Sequence, residues 1–164
     1  MTDAGSDQPR VVGIISDTHG LVRAGVHTAL AGVEIILHAG DVGGDDVLDE
    51  LALIAPVRAV YGNTDAPGQP RLSESIDLTI GGVSIHVSHG HEVGSPNPAK
   101  LLELYSADVV VFGHTHRPLV AGAGGRLALN PGAAGPRRFD LTPSVARLTI
   151  ANGRAKAELI PLLD

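Results

Sequence analysis

Short apolar runs closed by small and polar residues set the pattern of this chain. Val11-Val12-Gly13-Ile14-Ile15 ends at Ser16-Asp17, Ile35 to Ala39 ends at Gly40-Asp41, and Val57 to Val60 ends at Gly62-Asn63. Runs of this length bounded by glycine predict buried strands. Between them, Val22, Val26, Ala29 and Leu30 share one helical face, as do Val47, Leu48, Leu51 and Ala52. Asp45 or Asp46 is expected to cap that second helix, and Pro56 to stop it. The order β-α-β-α-β predicts a parallel sheet with right-handed crossovers. Each strand then delivers a polar residue, Asp17, Asp41 or Asn63, to its carboxyl end, where open α/β sheets place ligands.

After residue 75 the period changes from helical to alternating. Ile76, Leu78 and Ile80 alternate with polar residues, as do Val83, Ile85 and Val87 after Gly81-Gly82, which predicts a hairpin with one buried face. His89-Gly90-His91 follows, then a Gly/Ser/Pro-rich loop over 92–97 and a short helix from Pro98 to Ser106. Asp108 to Phe112 reads as another buried strand, ending at Gly113-His114-Thr115-His116. Two more hairpins are expected, over 118–129 and, around Asn152-Gly153, over 144–160. Two packed sheets with helices outside is the economical architecture. Residues 10–164 are read as one domain, and Met1 to Pro9, polar and acidic, as a disordered tail.

Composition narrows the chemistry. With no cysteine among 164 residues, disulfides and thiolate metal sites are excluded. Two Phe, two Tyr and no Trp leave the core to aliphatic residues and argue against single-stranded nucleic acid bound by stacking. The formal charge is −6, from 12 basic and 18 acidic residues without a basic cluster, so binding to duplex nucleic acid is not expected. No apolar run has membrane-spanning length and no secretory signal is seen, so a cytoplasmic protein is expected.

Histidine and carboxylate at successive strand ends suggest a metal centre. Imidazole and carboxylate without thiolate suit manganese, iron, cobalt, nickel or zinc, whereas magnesium and calcium prefer oxygen shells. Of the other histidines, His27 is read as exposed on its helix and His86 as lying on the polar face of a hairpin strand. His38 is read as a satisfied core histidine, with a supporting role toward Asp41 as the alternative.

Asp17-x-His19, Gly40-Asp41-x-x-Gly44, Gly62-Asn63, His89-Gly90 and Gly113-His114-x-His116 together resemble the calcineurin-like metallophosphoesterases, and in order and length their YfcE-like phosphodiesterase branch. The resemblance spans about residues 10–160. It implies a four-layer αββα sandwich of two mixed sheets flanked by helices, with the metal site at the C-terminal ends of the strands. It also implies two divalent metal ions per chain, manganese first. Asp17, His19 and His116 would hold one, Asn63, His89 and His114 the other, and Asp41 would bridge them. The activity implied is hydrolysis of a small phosphodiester by a metal-bridging hydroxide, with Asn63 also holding phosphoryl oxygens. A phosphomonoesterase or nucleotide pyrophosphatase on the same site, and a protein-binding scaffold similar to the retromer subunit, are the alternatives.

Two departures bear on catalysis. Where the wider family continues from Gly-Asn with His and Glu, this chain has Thr64 and Asp65. The general acid is then His91, a metal-polarised water, or none if the leaving group is good. Asp65 is read as orienting a neighbour through hydrogen bonds. Ala133 replaces a usual Ser, and Pro136-Arg137 follows, with Arg137 a candidate for binding substrate phosphate. Substrate specificity is expected in the loops 66–73 and 92–97, and the resemblance suggests a homodimer or higher homo-oligomer.

Overall fold

A computed structural model describes residues 8–138 and 140–163; residues 1–7 of the expected tail lie outside the described residues. Its elements are β1 (Arg10–Ile15), α1 (Ala24–Ala29), β2 (Ile35–His38), α2 (Asp45–Leu51), β3 (Val57–Val60), β4 (Leu72–Ser73), β5 (Ile76–Ile80), β6 (Val83–Val87), α3 (Pro98–Leu104), β7 (Val109–Val111), β8 (Leu119–Ala123), β9 (Arg126–Asn130), β10 (Ser144–Ala151) and β11 (Arg154–Pro161). They form a six-stranded sheet, ordered β11-β10-β1-β2-β3-β4, and a five-stranded sheet, ordered β5-β6-β7-β9-β8. Both are mixed: β1 to β4 run parallel, as do β6, β7 and β9, while β10, β11, β5 and β8 join antiparallel.

Three apolar clusters explain the layering. Between the sheets, Val12, Ile14, Leu37 and Leu148 of the first meet Ile85, Val109, Val111 and Leu129 of the second. On the outer face of the first sheet, Ile15 and Ile36 pack under Val26 and Leu30 of α1 and Val47, Leu48 and Leu51 of α2. On the outer face of the second, Leu101 of α3 covers Val110, Phe112 and Ala128. The order is therefore helices, sheet, sheet, helix. Strands buried on both faces need apolar side chains at consecutive positions, which is why β1 and β7 read as unbroken apolar runs.

Local differences from the sequence reading have local causes. The N-cap of α2 is Gly44, at φ 130°, and carries no side-chain cap; Asp45 and Asp46 instead occupy the first turn, where carboxylates suit the positive helix end. Helix α3 stops at Leu104, and its start has the expected chemistry: the Lys100 N–H donates to the Asn97 side chain at 2.9 Å, with Pro98 next in the chain. Strand β4 is two residues long, inside the expected 66–73 loop, and exists through parallel pairing with β3. The last hairpin turns on Asn152 and Gly153 at φ 55° and 72°, the two-residue geometry that matches strand twist.

Leu148 is fully buried between the sheets, whereas Leu53 is 80% exposed. Leu148→Ala is expected to lower unfolding free energy by about 2–5 kcal/mol. Leu53→Ala is expected to change it by less than about 0.5 kcal/mol. Urea unfolding monitored by circular dichroism measures both.

Candidate metal centre

Five strand ends meet at one edge of the two sheets. β1 delivers Asp17 and His19, β2 delivers Asp41, β3 delivers Asn63, β6 delivers His89 and His91, and β7 delivers His114 and His116. The first two loops are laddered to each other beyond their strands. The N–H groups of Asp17, His19 and Gly20 donate to the carbonyls of Gly40, Asp41 and Val42 at 2.9, 3.0 and 2.9 Å. Asp17, His19, Asp41, His114 and His116 all have left-handed φ, between 44° and 72°. Such backbone is strained for side-chain-bearing residues and collects at functional sites. Glycines make the close approach possible. A Cβ on Gly62 would collide with the Asp41 carboxylate, and one on Gly113 would come within 2.6 Å of Asp17 Oδ2.

The donors face inward. His116 Nε2 is 3.3 Å from Asp17 Oδ1, and His89 Nε2 is 3.2 Å from Asp41 Oδ2 and 3.8 Å from Asp17 Oδ1. His19 Nε2 stands 3.8 Å from both Asp17 Oδ1 and Asp41 Oδ2. Two overlapping triads result, Asp17/His19/His116 and Asp17/Asp41/His89, each with donor atoms within 4.8 Å of one another. His114 Nδ1 lies 3.2 Å from Asn63 Oδ1, and its ring is 5.2 Å from that of His89. Asp17 Oδ1 is thus common to both triads.

These residues fit divalent cations. Asp17 Oδ1, His19 Nε2 and His89 Nε2 are buried and make no hydrogen bond. His89 Nδ1–H donates to the Ala39 carbonyl at 2.8 Å, so the ring turns its Nε2 toward two carboxylates. Lone pairs converging in a buried site repel unless a cation lies among them. Metal–donor bonds of about 2.0–2.2 Å place neighbouring donors about 3.0–3.4 Å apart; the His89–Asp41 and His116–Asp17 spacings of 3.2 and 3.3 Å fall in that range, and the three of 3.8 Å lie beyond it.

The surroundings bias each charge. Burial raises the Asp41 carboxyl, but His89 and the Thr64 N–H outweigh it and hold it well below the usual carboxylate range. Burial likewise raises Asp17, and His116, His89 and Ser16 bring it below normal. Burial lowers His89, yet the Asp41 and Asp17 carboxylates carry it above normal. Burial holds His19 and His114 down.

The remaining predicted residues occupy distinct places. The His91 ring is 5.4 Å from that of His89, and its Nδ1 is buried without a hydrogen bond. The Asp65 carboxylate accepts from the N–H groups of Val42, Gly43 and Gly62 at 3.1, 3.1 and 2.9 Å, tying the β2 and β3 loops together. Arg137 is exposed, in the segment that lines a cleft with His116. Its neighbour Arg138 is close enough for its charge to act on His19.

Sequence reasoning missed several supporting residues, because no period or motif marks which polar side chain braces a loop. The Ser16 hydroxyl donates to Asp17 Oδ2 at 2.6 Å. Glu92 accepts from the Gly90 N–H, the Ser88 hydroxyl and the Tyr105 hydroxyl, bracing the loop that carries His89 and His91. Asn130 donates to the Gly113 carbonyl and Thr115 hydroxyl, bracing the loop after β7. Two bland readings change. His27 is half-buried and paired with Glu50 at 2.8 Å, linking α1 to α2. His86 is buried rather than on an open polar face: its ring stacks on Tyr105, centroids 3.8 Å apart, because the end of α3 covers that face of β6.

The αββα layering and the nitrogen–oxygen donor set together define a metallohydrolase-type centre at the edge of a double-sheet sandwich. Residues 11–153 match the calcineurin-like phosphoesterase superfamily domain, and the chain belongs to that family, which is metal-dependent. It is 38% identical over 160 residues to a probable metallophosphoesterase of Methanothermobacter thermautotrophicus, covering 92% of this chain and 91% of that one. It is 29% identical over 139 residues to a phosphodiesterase of Methanocaldococcus jannaschii, covering 74% of this chain and 82% of the relative. Among solved structures, zinc-bound Vps29 of Entamoeba histolytica superposes with a TM-score of 0.74 at 24% identity, covering 93% of this chain and 99% of that one. Among the described residues no helix is long and apolar enough to cross a membrane.

Burial holds the His38 imidazole down to about 4, against the nearby Asp17, Asp65 and Asp41 carboxylates. An unfolded histidine titrates near 6.5. As pH falls from 6.5 to about 4, the unfolded chain therefore takes up a proton that the folded chain refuses, and stability is lost. The expected contribution of His38 is about 3 kcal/mol, complete by the bottom of that window. Urea unfolding at stepped pH measures it. His38→Gln is expected to flatten the slope without removing it, since His19 and His114 act in the same direction.

Proposed function

We propose that this chain is a phosphodiesterase working through a dinuclear centre. Asp17, His19 and His116 would hold one divalent cation, Asn63, His89 and His114 would hold the other, and Asp41 would serve both. The observation that carries the reading is the convergence of imidazole and carboxylate donors from four strand ends, those of β1, β2, β6 and β7, on the unpartnered Asp17 Oδ1 and His89 Nε2, in a member of the phosphoesterase superfamily. Two cations, manganese first, would supply Lewis acidity toward phosphoryl oxygens and a water whose pKa falls from about 15.7 toward about 7.

The protein's own groups do the rest. The Asn63 amide, next to His114, holds a phosphoryl oxygen of the substrate. The His91 imidazole, on the rim beside His89, gives a proton to the leaving oxygen. Arg137 and Arg138 offset phosphate charge on the His19 and His116 side. Asp65 holds the β2 and β3 loops in register rather than reacting, since its two oxygens are taken by three backbone N–H groups. A phosphodiesterase relative supports the ester class.

The test is hydrolysis of bis(p-nitrophenyl) phosphate beside p-nitrophenyl phosphate, with manganese added and then chelated. Diester turnover is expected to exceed monoester turnover and to vanish on chelation. Asp41→Ala is expected to cost at least about a hundredfold in kcat. Protein that takes up metal yet hydrolyses neither ester points to the scaffold reading instead.

His91→Gln separates proton donation from binding. It is expected to slow a diester with an alkyl leaving group by about a hundredfold or more. The aryl diester, which needs no proton, should be little affected. Equal losses on both substrates would remove His91 from the acid role.

A further inference from the structure

His38 ends β2 and is completely buried, and the chemistry above does not use it. Its two ring nitrogens have different partners. Nδ1 accepts the Gly40 backbone N–H at 3.1 Å. A ring nitrogen that accepts from an amide carries no proton, so in the neutral ring the proton is on Nε2. Nε2–H then donates to the Thr18 hydroxyl oxygen at 2.9 Å, and the Thr18 hydroxyl passes its own proton to the Val42 carbonyl at 2.7 Å. Each direction follows from the fixed groups at the two ends, an amide that only donates and a carbonyl that only accepts.

The circuit leaves the β2 loop at Gly40, crosses to the β1 loop at Thr18 and returns at Val42. Thr18 lies between Asp17 and His19; Gly40 and Val42 flank Asp41. The circuit therefore encloses the carboxylate assigned to the bridge and the two donors of the neighbouring loop. Those three residues all have left-handed φ, so the loops need to be held in place. An apolar side chain at 38 would leave the buried Gly40 amide without its acceptor and the Thr18 hydroxyl without its donor, and a lysine there could not accept from Gly40.

We propose that His38 is the positioning residue that sets the spacing of Asp41 relative to Asp17 and His19, acting through its neutral Nε2–H tautomer and Thr18. This rests on the dinuclear reading above. It assigns to His38 a share in the affinity of the centre and in the separation of the two cations, beyond its part in core packing.

Three measurements test it. In the wild-type protein, nitrogen-15 chemical shifts of His38 are expected to report the Nε2–H tautomer, with or without metal. Manganese titration by calorimetry is expected to give two ions per wild-type chain. His38→Phe and Thr18→Val are each expected to weaken at least one of the two sites by about 10- to 100-fold, the scale of an outer partner of a ligand. Both should also lose the exchange-coupled manganese signal in electron paramagnetic resonance. Thr18→Val keeps side-chain volume, so it answers the question if His38→Phe does not fold. A purely structural role would lower the melting temperature while leaving the coupled spectrum and both affinities unchanged at 25 °C, and that result would overturn the inference, as would an Nδ1–H tautomer. Wild-type protein that binds no manganese would overturn the dinuclear reading and this assignment with it; unaltered variants beside a normal wild type would overturn this assignment alone.

Discussion

Two carboxylates enclosed in one crevice, with imidazole lone pairs turned toward them, set the terms for the rest of this fold. Asp17 is wholly buried and Asp41 nearly so. Neither can stay ionised there without positive charge or hydrogen-bond donors at hand. The structure supplies donors from the backbone and from Ser16. It leaves the inward faces of Asp17 and His89 for something that carries charge. The backbone of the first two loops is shaped to the same end. A parallel ladder continues beyond β1 and β2, and only that continuation brings Asp17 and Asp41 side by side.

The two-sheet arrangement matters because each sheet contributes half of the centre. The parallel set β1–β2–β3 presents Asp17, Asp41 and Asn63, and the parallel pair β6–β7 presents His89 and His114. Parallel strands end on the same side, so each set aims several residues at one edge without long loops. The aliphatic layer between the sheets then fixes how far apart the two halves stand. A shift of that layer would move His89, His114 and His116 relative to Asp17, His19 and Asp41, which couples core packing directly to the geometry of the site.

The strand and helix order was legible because apolar periodicity is strong where strands are buried on both faces. The runs at 11–15, 35–39 and 108–112 hold β1, β2 and β7 with small shifts at their ends. Strand β4 was not legible: two residues have no period, and their pairing with β3 is decided in three dimensions. The candidate donors could be picked out as His, Asp and Asn at strand ends. Asp65 and His38 could be named as supports but their partners could not, since Asp65 takes three backbone N–H groups and His38 joins Gly40 to Thr18; Glu92 and Asn130 left no signal at all, because their partners Tyr105, Gly113 and Thr115 arrive from elsewhere in the fold. His86 misled for a related reason. Alternation placed it opposite the inter-sheet core, correctly, but said nothing of Tyr105 arriving from α3 to cover it.

The left-handed backbone at five inward-facing positions has an evolutionary consequence. Glycine would relax every one of them, because it alone populates that region without a steric cost. At Asp17 and Asp41 that gain is offset, because their carboxylates accept from Ser16, His114 and Thr64; at His19 and His116 it favours a sturdier chain with fewer donors. Wherever metal-dependent chemistry is under selection, that selection keeps costly side chains there; where it lifts, mutational drift loosens the donor set before it loosens the sandwich.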